Sequence, residues 1–324
     1  MIYNSFVIFV LLIVVATIFE YAINNYYFKK NYKLKLNSCY KLNKQVMSKT
    51  GNVFIHKISS VLVFNTDYLI ISKFLGVNTV AIYSSYIMLS NFIMVFVSSL
   101  VNVIKPRFGL FVASSSKENI YNLWLRSFSI NSYISIVLIS FLYVSFSPLI
   151  KIWMGDTYLL KDEVVNLILV NIFFSFFRIS MDLIKESSGY FKDIHLPIIE
   201  GLTNLILSLV LVNYYGLTGV IVGTILSNIL IILIWKPIIV FKHVLNISIN
   251  EYIKNLIKYI VIFSIVMSVF KYIKGLYIID DFFDICLFIP ISIFIPLFIF
   301  LMDNIFRDVF KTMIKYLIKK RSLK

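Results

Sequence analysis

The chain has 324 residues, of which 60% are hydrophobic and only 15% are charged, and its mean hydropathy is +0.88. Soluble domains carry about 25% charged residues, so this composition excludes an ordinary soluble enzyme and predicts a protein that is embedded in lipid. The net charge of +15 does not indicate a nucleic-acid binder, because the basic residues punctuate apolar segments instead of forming a folded basic surface.

Nine apolar segments have about the 20 residues that a helix needs to cross a hydrocarbon core of about 30 Å. They lie near residues 5–23, 53–75, 80–104, 126–148, 163–185, 195–213, 218–236, 255–273 and 283–302. A helix satisfies its own backbone hydrogen bonds in lipid. The sequence therefore predicts an all-α protein, a polytopic transmembrane bundle of about nine helices.

Lysine and arginine are distributed unequally between alternate connections. Segment 29–49 carries seven lysines, and further bases follow in every second connection and in the tail. The intervening connections hold only Lys73, Lys151, Lys161, Lys271 and Lys274. Because basic loops stay cytoplasmic, the C-terminus is predicted to be cytoplasmic and the first helix to begin outside. That start has no charged signal-peptide region, so we expect about five further helices to precede Met1.

The tail, residues 303–324, places its apolar side chains on one helical face and its bases on the other. This pattern is typical of an interfacial helix on anionic membrane lipid. A solvated basic tail is the alternative.

Charged residues inside the predicted spans are the candidates for function, because each costs about 2.5 to 3.5 kcal/mol at a helix centre. They are Lys57, Asp67, Arg126, Arg178 and Asp182. At about 100° per residue, the fifth helix aligns Asn171, Ser175, Arg178, Asp182 and Lys185 in one stripe. Weaker polar stripes contain Tyr83, Tyr86, Ser90 and Ser98 on the third helix, and Arg126, Ser129, Tyr133 and Ser140 on the fourth.

These stripes predict a central polar cavity. The alternative is structural: Arg178 and Asp182 pair with each other at i,i+4, while Lys57 and Arg126 extend to the cytoplasmic interface. Glu200 lies near a helix end, where an interfacial role is the expectation.

Other residues point to packing more than to chemistry. Gly219, Gly223 and Ser227 recur every four residues, which lets a neighbouring helix approach closely, and the short uncharged connection before them predicts a tight hairpin. The two cysteines and three histidines are scattered, and no catalytic or nucleotide-binding motif is present. We therefore predict no catalytic residues, no metal and no cofactor.

Three segments together resemble the polysaccharide repeat-unit flippases (Wzx-type) of the MATE-like exporter superfamily. SSVLVFNTDYLIISKFLGVNTVAIYSSY (59–86) is similar to the start of their C-terminal lobe, and SPLIKIWMGDTYLL (147–160) to an external loop. HLPIIEGLTNLILSLVLVNYYGLTGVIVGTILSNILI (195–231) resembles a later helix pair, and the likeness covers about residues 50 to 245. It implies four parts: residues 1–28, the last helix of an incomplete first lobe; 29–50, a basic cytoplasmic linker; 51–302, the C-terminal lobe; and 303–324, the tail.

The resemblance implies alternating-access translocation of polyprenyl-pyrophosphate-linked oligosaccharides across the bacterial cytoplasmic membrane, for surface polysaccharide such as O-antigen (lipopolysaccharide) or capsule. Partners would be the lipid-linked oligosaccharide, membrane lipids, and the polysaccharide polymerase with its chain-length machinery. The predicted cargo-binding residues are Lys57, Arg126, Arg178, Tyr83, Tyr86, Tyr133 and Asn171. Asp67 and Asp182 would couple transport to protons or sodium ions. A drug/cation antiporter and a polytopic polysaccharide polymerase are the alternatives.

Overall fold

The structure is a computed structural model that describes residues 2–31, 66–193, 195–277 and 282–321, together with residues 47, 50, 51 and 54. For residues 2–6, 9 and 316–321 it describes the backbone only. The described chain is almost entirely helical and divides into two compact units, Met1–Ser48 and Lys49–Lys324.

The first unit contains one long helix, α1 (Ile2–Asn31). Its section Val10–Asn31 is long and apolar enough to cross a membrane. Apolar side chains on different sides of α1, such as Leu12 and Ile18, are exposed. A helix that is apolar all round is suited to a lipid environment.

The second unit is a helical bundle. Its elements, in chain order, are α2 (66–75), α3 (Val77–Ser114), α4 (Lys117–Met154), a 3₁₀ turn (Asp156–Tyr158), α5 (Asp162–Ser187), α6 (His195–Asn228), α7 (Lys236–Val240), α8 (Ile249–Leu276), α9 (Phe282–Phe300) and α10 (Asn304–Arg321). Two π-helical stretches, Ile229–Trp235 and Phe241–Leu245, flank α7. Together with α6 they form one helical segment, His195–Leu245.

The predicted all-α, polytopic bundle is confirmed, because seven described helical segments are long and apolar enough to span a membrane. One of them, His195–Leu245, contains two of the predicted spans. The predicted span near 53–75 lies mostly outside the described residues, and only 66–75 is seen as helix.

Most observed helices are longer than predicted, and α3 and α4 reach 38 residues each. At 1.5 Å per residue each extends about 57 Å, well beyond the hydrocarbon thickness of about 30 Å. Hydropathy detects only the part of a helix that lies in hydrocarbon, so the polar ends that continue past it were not counted.

α6 folds back on itself at Gly216, whose backbone (φ 57°, ψ −132°) is not helical. Ser208 on the first arm donates a hydrogen bond to the carbonyl of Val220 on the second, 3.2 Å away, which a straight helix could not allow. A Cβ on Gly219 would lie 2.2 Å from the Leu211 carbonyl oxygen. The predicted hairpin is therefore present, and its glycines permit contact between the two arms.

Contacts between helix ends define two ends of the bundle. Lys117 Nζ donates to the Val244 carbonyl at 2.5 Å, and Tyr190 stacks on His243, so these segments share one end. We call it the basic end. At the opposite end Lys274 pairs with Asp162 at 3.5 Å. The helices thus alternate in direction, as a polytopic chain requires.

An aromatic cluster at the basic end joins α4, α8 and the second π-helical stretch. Trp124 lies between Phe128 and Phe241, at 4.9 and 5.1 Å between ring centroids, and Tyr252 contacts the same group. All four rings are buried. Packed aromatic rings contribute about 0.5 to 1.5 kcal/mol per pair beyond their buried area, so this cluster holds the basic end together.

Gly219→Ala tests the hairpin. The new Cβ would overlap backbone atoms of Leu211, which cannot rotate away, so we expect a loss of about 1 to 3 kcal/mol and a lower melting temperature in detergent. Gly275→Ala in α8 is the matched control, because no described residue has an atom within 4 Å of its Cβ position. An unchanged melting temperature for Gly219→Ala would contradict the hairpin packing.

Candidate functional site

A polar cavity of about 580 Å³ lies between α2, α3, α5 and the two arms of α6. This volume is within the range of small-molecule binding sites, about 300 to 1,000 Å³. Hydroxyl and amide groups are its largest polar class: Ser90, Asn91, Ser98, Asn102, Asn171, Ser175, Asn204, Thr224 and Asn228. Its charged lining residues are Asp67, Lys105, Arg178, Asp182 and Glu186.

Asp67 is the buried carboxylate of the cavity that has no cation beside it among the described residues. It is 7% exposed, and its Oδ2 accepts hydrogen bonds from Thr224 Oγ1 at 3.0 Å and from the Tyr83 hydroxyl at 3.5 Å. Its Oδ1 is buried and has no hydrogen-bond partner among the described residues. Asp67 lies eight residues before the end of α2, about 12 Å along the helix, which would be near the middle of a hydrocarbon core of about 30 Å that begins at that end.

A hydrogen-bonded chain crosses the cavity wall next to this carboxylate. Asn228 on the second arm of α6 donates to Asn171 Oδ1 on α5 at 2.6 Å and accepts from Arg178 at 3.3 Å. The Arg178 guanidinium also forms a two-point contact with Glu200 on the first arm of α6, with one N to O distance of 3.1 Å. This chain fixes α5 against both arms of the hairpin.

Two more ion pairs continue along α5 toward the basic end. Asp182 pairs with Lys236, the first residue of α7, and Lys185 pairs with Asp193 at 2.9 Å in the loop before α6. Lys185, Asp193 and Lys236 are buried. Charges that leave water are tolerated when they are paired and hydrogen-bonded. The polar stripe of α5 is therefore a row of interhelical pairs.

The cavity reaches the basic end beside a fourth pair, Lys105 on α3 with Glu186 on α5, whose side chains are each about one-third exposed. Among the described residues, the lining side chains and their direct ionic partners comprise three bases and four acids. With Asp67 ionised, the cavity and these partners carry one net negative charge.

The structure brings only some of the predicted site residues together. Asp67, Tyr83, Asn171, Arg178 and Asp182 line the cavity. Lys57 lies outside the described residues.

Three predicted cavity residues lie elsewhere. Arg126 is exposed on α4. Tyr86 is buried against Phe146, and its hydroxyl accepts from the Leu160 amide at 3.1 Å. Tyr133 donates to the Ile293 carbonyl of α9 at 3.3 Å. The stripes did not indicate these positions, because a helical stripe shows which residues share a face but not which neighbour that face meets.

The pairing of the charges also differs from the structural alternative and from the expectation for Glu200. Arg178 and Asp182 do not form the i,i+4 pair, because each finds its hydrogen-bonding partner on another element. Glu200 was expected at an interface but is 4% exposed and holds Arg178.

The sequence did contain signals for some residues that the prediction missed. Asn204 and Ser208 on one arm of α6, and Thr224 and Asn228 on the other, are polar pairs at i,i+4 within apolar runs. Asn204, Thr224 and Asn228 line the cavity. Lys236 carried no such signal, because it resembled a loop lysine at the end of a span.

A double-mutant cycle tests the Arg178–Glu200 pair. Arg178→Gln or Glu200→Gln alone would break the buried contact between these two charges, at a cost of about 3 to 5 kcal/mol in the free energy of unfolding. The double variant should cost less than the sum of the two. The control cycle uses Lys151 and Asp156, which are largely exposed at 3.6 Å, with an expected coupling below about 1 kcal/mol. Equal coupling in both cycles would contradict a buried pair.

The comparisons with known proteins leave the site to be interpreted from its own geometry. No protein family matches the sequence, and no curated protein or solved structure is significantly similar to it. What the chain is shown to be is an all-α, multi-pass membrane protein with a polar cavity inside its helical bundle.

Proposed function

We propose that this protein translocates a lipid-linked oligosaccharide across the bacterial cytoplasmic membrane by alternating access, for the synthesis of surface polysaccharide. The observation that carries the proposal is the cavity, which presents nine hydroxyl or amide side chains inside a membrane-spanning bundle. Uncharged polar groups are costly in lipid unless they meet water, one another or a polar cargo.

The chemistry of the lining suits sugars. Asparagine amides both donate and accept hydrogen bonds, as serine and threonine hydroxyls do, and they match the alternating donors and acceptors of a sugar ring. Tyr68 and Tyr83 add aromatic surface on which a ring face can pack. The aliphatic residues of the lining, such as Ile87 and Met94, would contact apolar parts of the cargo.

The pyrophosphate of the cargo would interact with Arg178 and Lys105, the two bases of the lining. Both already contact a carboxylate, so the phosphate would compete with Glu200 or Glu186 for them. Charge-assisted contacts to arginine are strong and often two-pronged, which makes this exchange chemically reasonable. The exchange would couple cargo binding to the contacts that α5 makes with α3 and α6.

The proposed orientation places the basic end in the cytoplasm, because basic connections are retained there. Lys105, Lys117 and Lys242 belong to this end, as do the bases of the following α10. The cavity beside Lys105 and Glu186 would then face the compartment in which lipid-linked oligosaccharides are assembled.

Asp67 is the proposed coupling residue. A carboxylate near the membrane centre, buried and not paired with a cation among the described residues, is well suited to bind and release a proton or a sodium ion. Asp182, the other predicted candidate, is neutralised by Lys236. The coupling function is therefore assigned to Asp67 alone.

A drug/cation antiporter is the second candidate, and the charge balance of the cavity favours it. With four acids against three bases, the described residues of the site carry one net negative charge when Asp67 is ionised. Translocation of a fluorescent lipid-linked oligosaccharide and efflux of a cationic dye, measured in the same proteoliposomes, distinguish the two functions.

Two adjacent serines provide a matched test of the cavity. Ser98 lines the cavity and Ser99 is exposed outside it, and each donates to the carbonyl four residues earlier. Ser98→Trp should fill the passage and lower the translocation rate at least about tenfold, whereas Ser99→Trp should retain most of it. Equal rates for the two variants would show that cargo does not pass through this cavity.

Asp67→Asn tests the coupling. The amide keeps the shape of the side chain but cannot take up a positive ion, so translocation should lose its response to an imposed proton or sodium gradient. Asp67→Glu should keep part of the response. Asp156→Asn, at the exposed opposite end, should leave it unchanged. Retention of the full gradient response by Asp67→Asn would remove this residue from the coupling.

A further inference from the structure

α10 follows the last candidate span after only three residues, and Asp303 fixes where it begins. Asp303 accepts from Lys258 Nζ at 3.0 Å and from the Tyr259 hydroxyl at 3.1 Å, both on α8, and from the Ile305 amide in the first turn of α10. The N-terminus of α10 is thereby attached to one level of α8.

The distance of that level from the far end of α8 can be compared with the thickness of a membrane. Lys258 lies 18 residues before Leu276, the last residue of α8, which corresponds to about 27 Å along the helix. This distance is close to the thickness of the hydrocarbon core, about 30 Å. The start of α10 is therefore about one hydrocarbon thickness from the far end of α8, which corresponds to headgroup depth when Leu276 lies at the opposite boundary.

The apolar face of α10 is covered by protein only in its first turns. Phe306 is buried against Phe300 and Tyr133, at 5.2 and 4.9 Å between ring centroids. Further along the same face, Met313 is 55% exposed and Ile314 is 40% exposed. The second half of the apolar stripe is therefore not covered by the described part of the bundle.

The other side of α10 is basic. Arg307, Lys311 and Lys315 are spaced four residues apart and are exposed. The whole helix has six basic residues and one acidic residue. An amphipathic helix with bases beside an apolar stripe, held at headgroup depth, complements a membrane surface that contains anionic lipid.

We propose that the second half of α10 is a binding surface for anionic phospholipid, with Met313 and Ile314 among the acyl chains and Lys311 and Lys315 at the headgroup phosphates. The first half anchors it to α4, α8 and α9. The membrane surface would then hold α10 at the depth at which the Asp303 contacts attach its N-terminus to α8. The proposal is independent of which cargo the protein carries.

The test uses the full chain in vesicles of phosphatidylcholine with or without 30% phosphatidylglycerol, values chosen to mimic a bacterial leaflet. Met313→Cys, in a background that lacks Cys39 and Cys286, carries an environment-sensitive fluorophore, and lipids brominated on their acyl chains quench it. Thr312→Cys is the matched control, because it is exposed on the polar face of the same turn.

We expect the label at position 313 to be quenched several times more strongly than the label at 312, with the difference larger in vesicles that contain phosphatidylglycerol. Lys311→Gln with Lys315→Gln should lower the ratio of docked to undocked helix about thirtyfold, given about 1 kcal/mol for each basic residue at an anionic surface. Equal quenching at 312 and 313 would overturn the proposal. So would shielding of position 313 that depends on protein density, because that result would indicate a second copy of the chain as the occupant.

Discussion

Ionised side chains inside a bilayer must meet partners, because each unpaired charge costs several kcal/mol in hydrocarbon. In this protein the requirement falls mainly on α5, where Arg178, Asp182, Lys185 and Glu186 alternate in sign along about two turns. Each of them pairs with a residue on a different element. The position of α5 relative to α3, α6 and α7 is consequently tied to satisfaction of these charges.

The ion pairs that stabilise the bundle and the proposed coupling residue lie in different parts of the cavity. The four pairs lie toward the basic end, whereas the opposite side of the cavity holds Asp67 with Thr224 and Tyr83. Asp67 has no cation beside it among the described residues, and one of its oxygens has no hydrogen bond. Proteins leave a buried polar atom in this state rarely. The proposed coupling role gives this exception a physical reason.

The bundle combines rigid and adjustable regions around the cavity. Close contact between the arms of α6 at Gly219 and Gly223 leaves little room for sliding. By contrast, two π-helical stretches flank Lys236, and such stretches occur often at functional sites because they interrupt the regular hydrogen-bond ladder. A change at the Asp182–Lys236 pair would therefore act on the least regular part of the α6–α7 segment.

The sequence by itself determined the helical class, the approximate spans, the hairpin at Gly216 and the polar stripe of α5, since each depends on local hydropathy, a short connection or helical periodicity. Only the tertiary structure decided that Arg178 meets Glu200, that Asp182 meets Lys236, and that Arg126 lies outside the cavity. Periodicity places a residue on a face of its own helix. Which neighbour that face meets depends on how all the helices pack, and charges far apart in sequence are paired only by that packing.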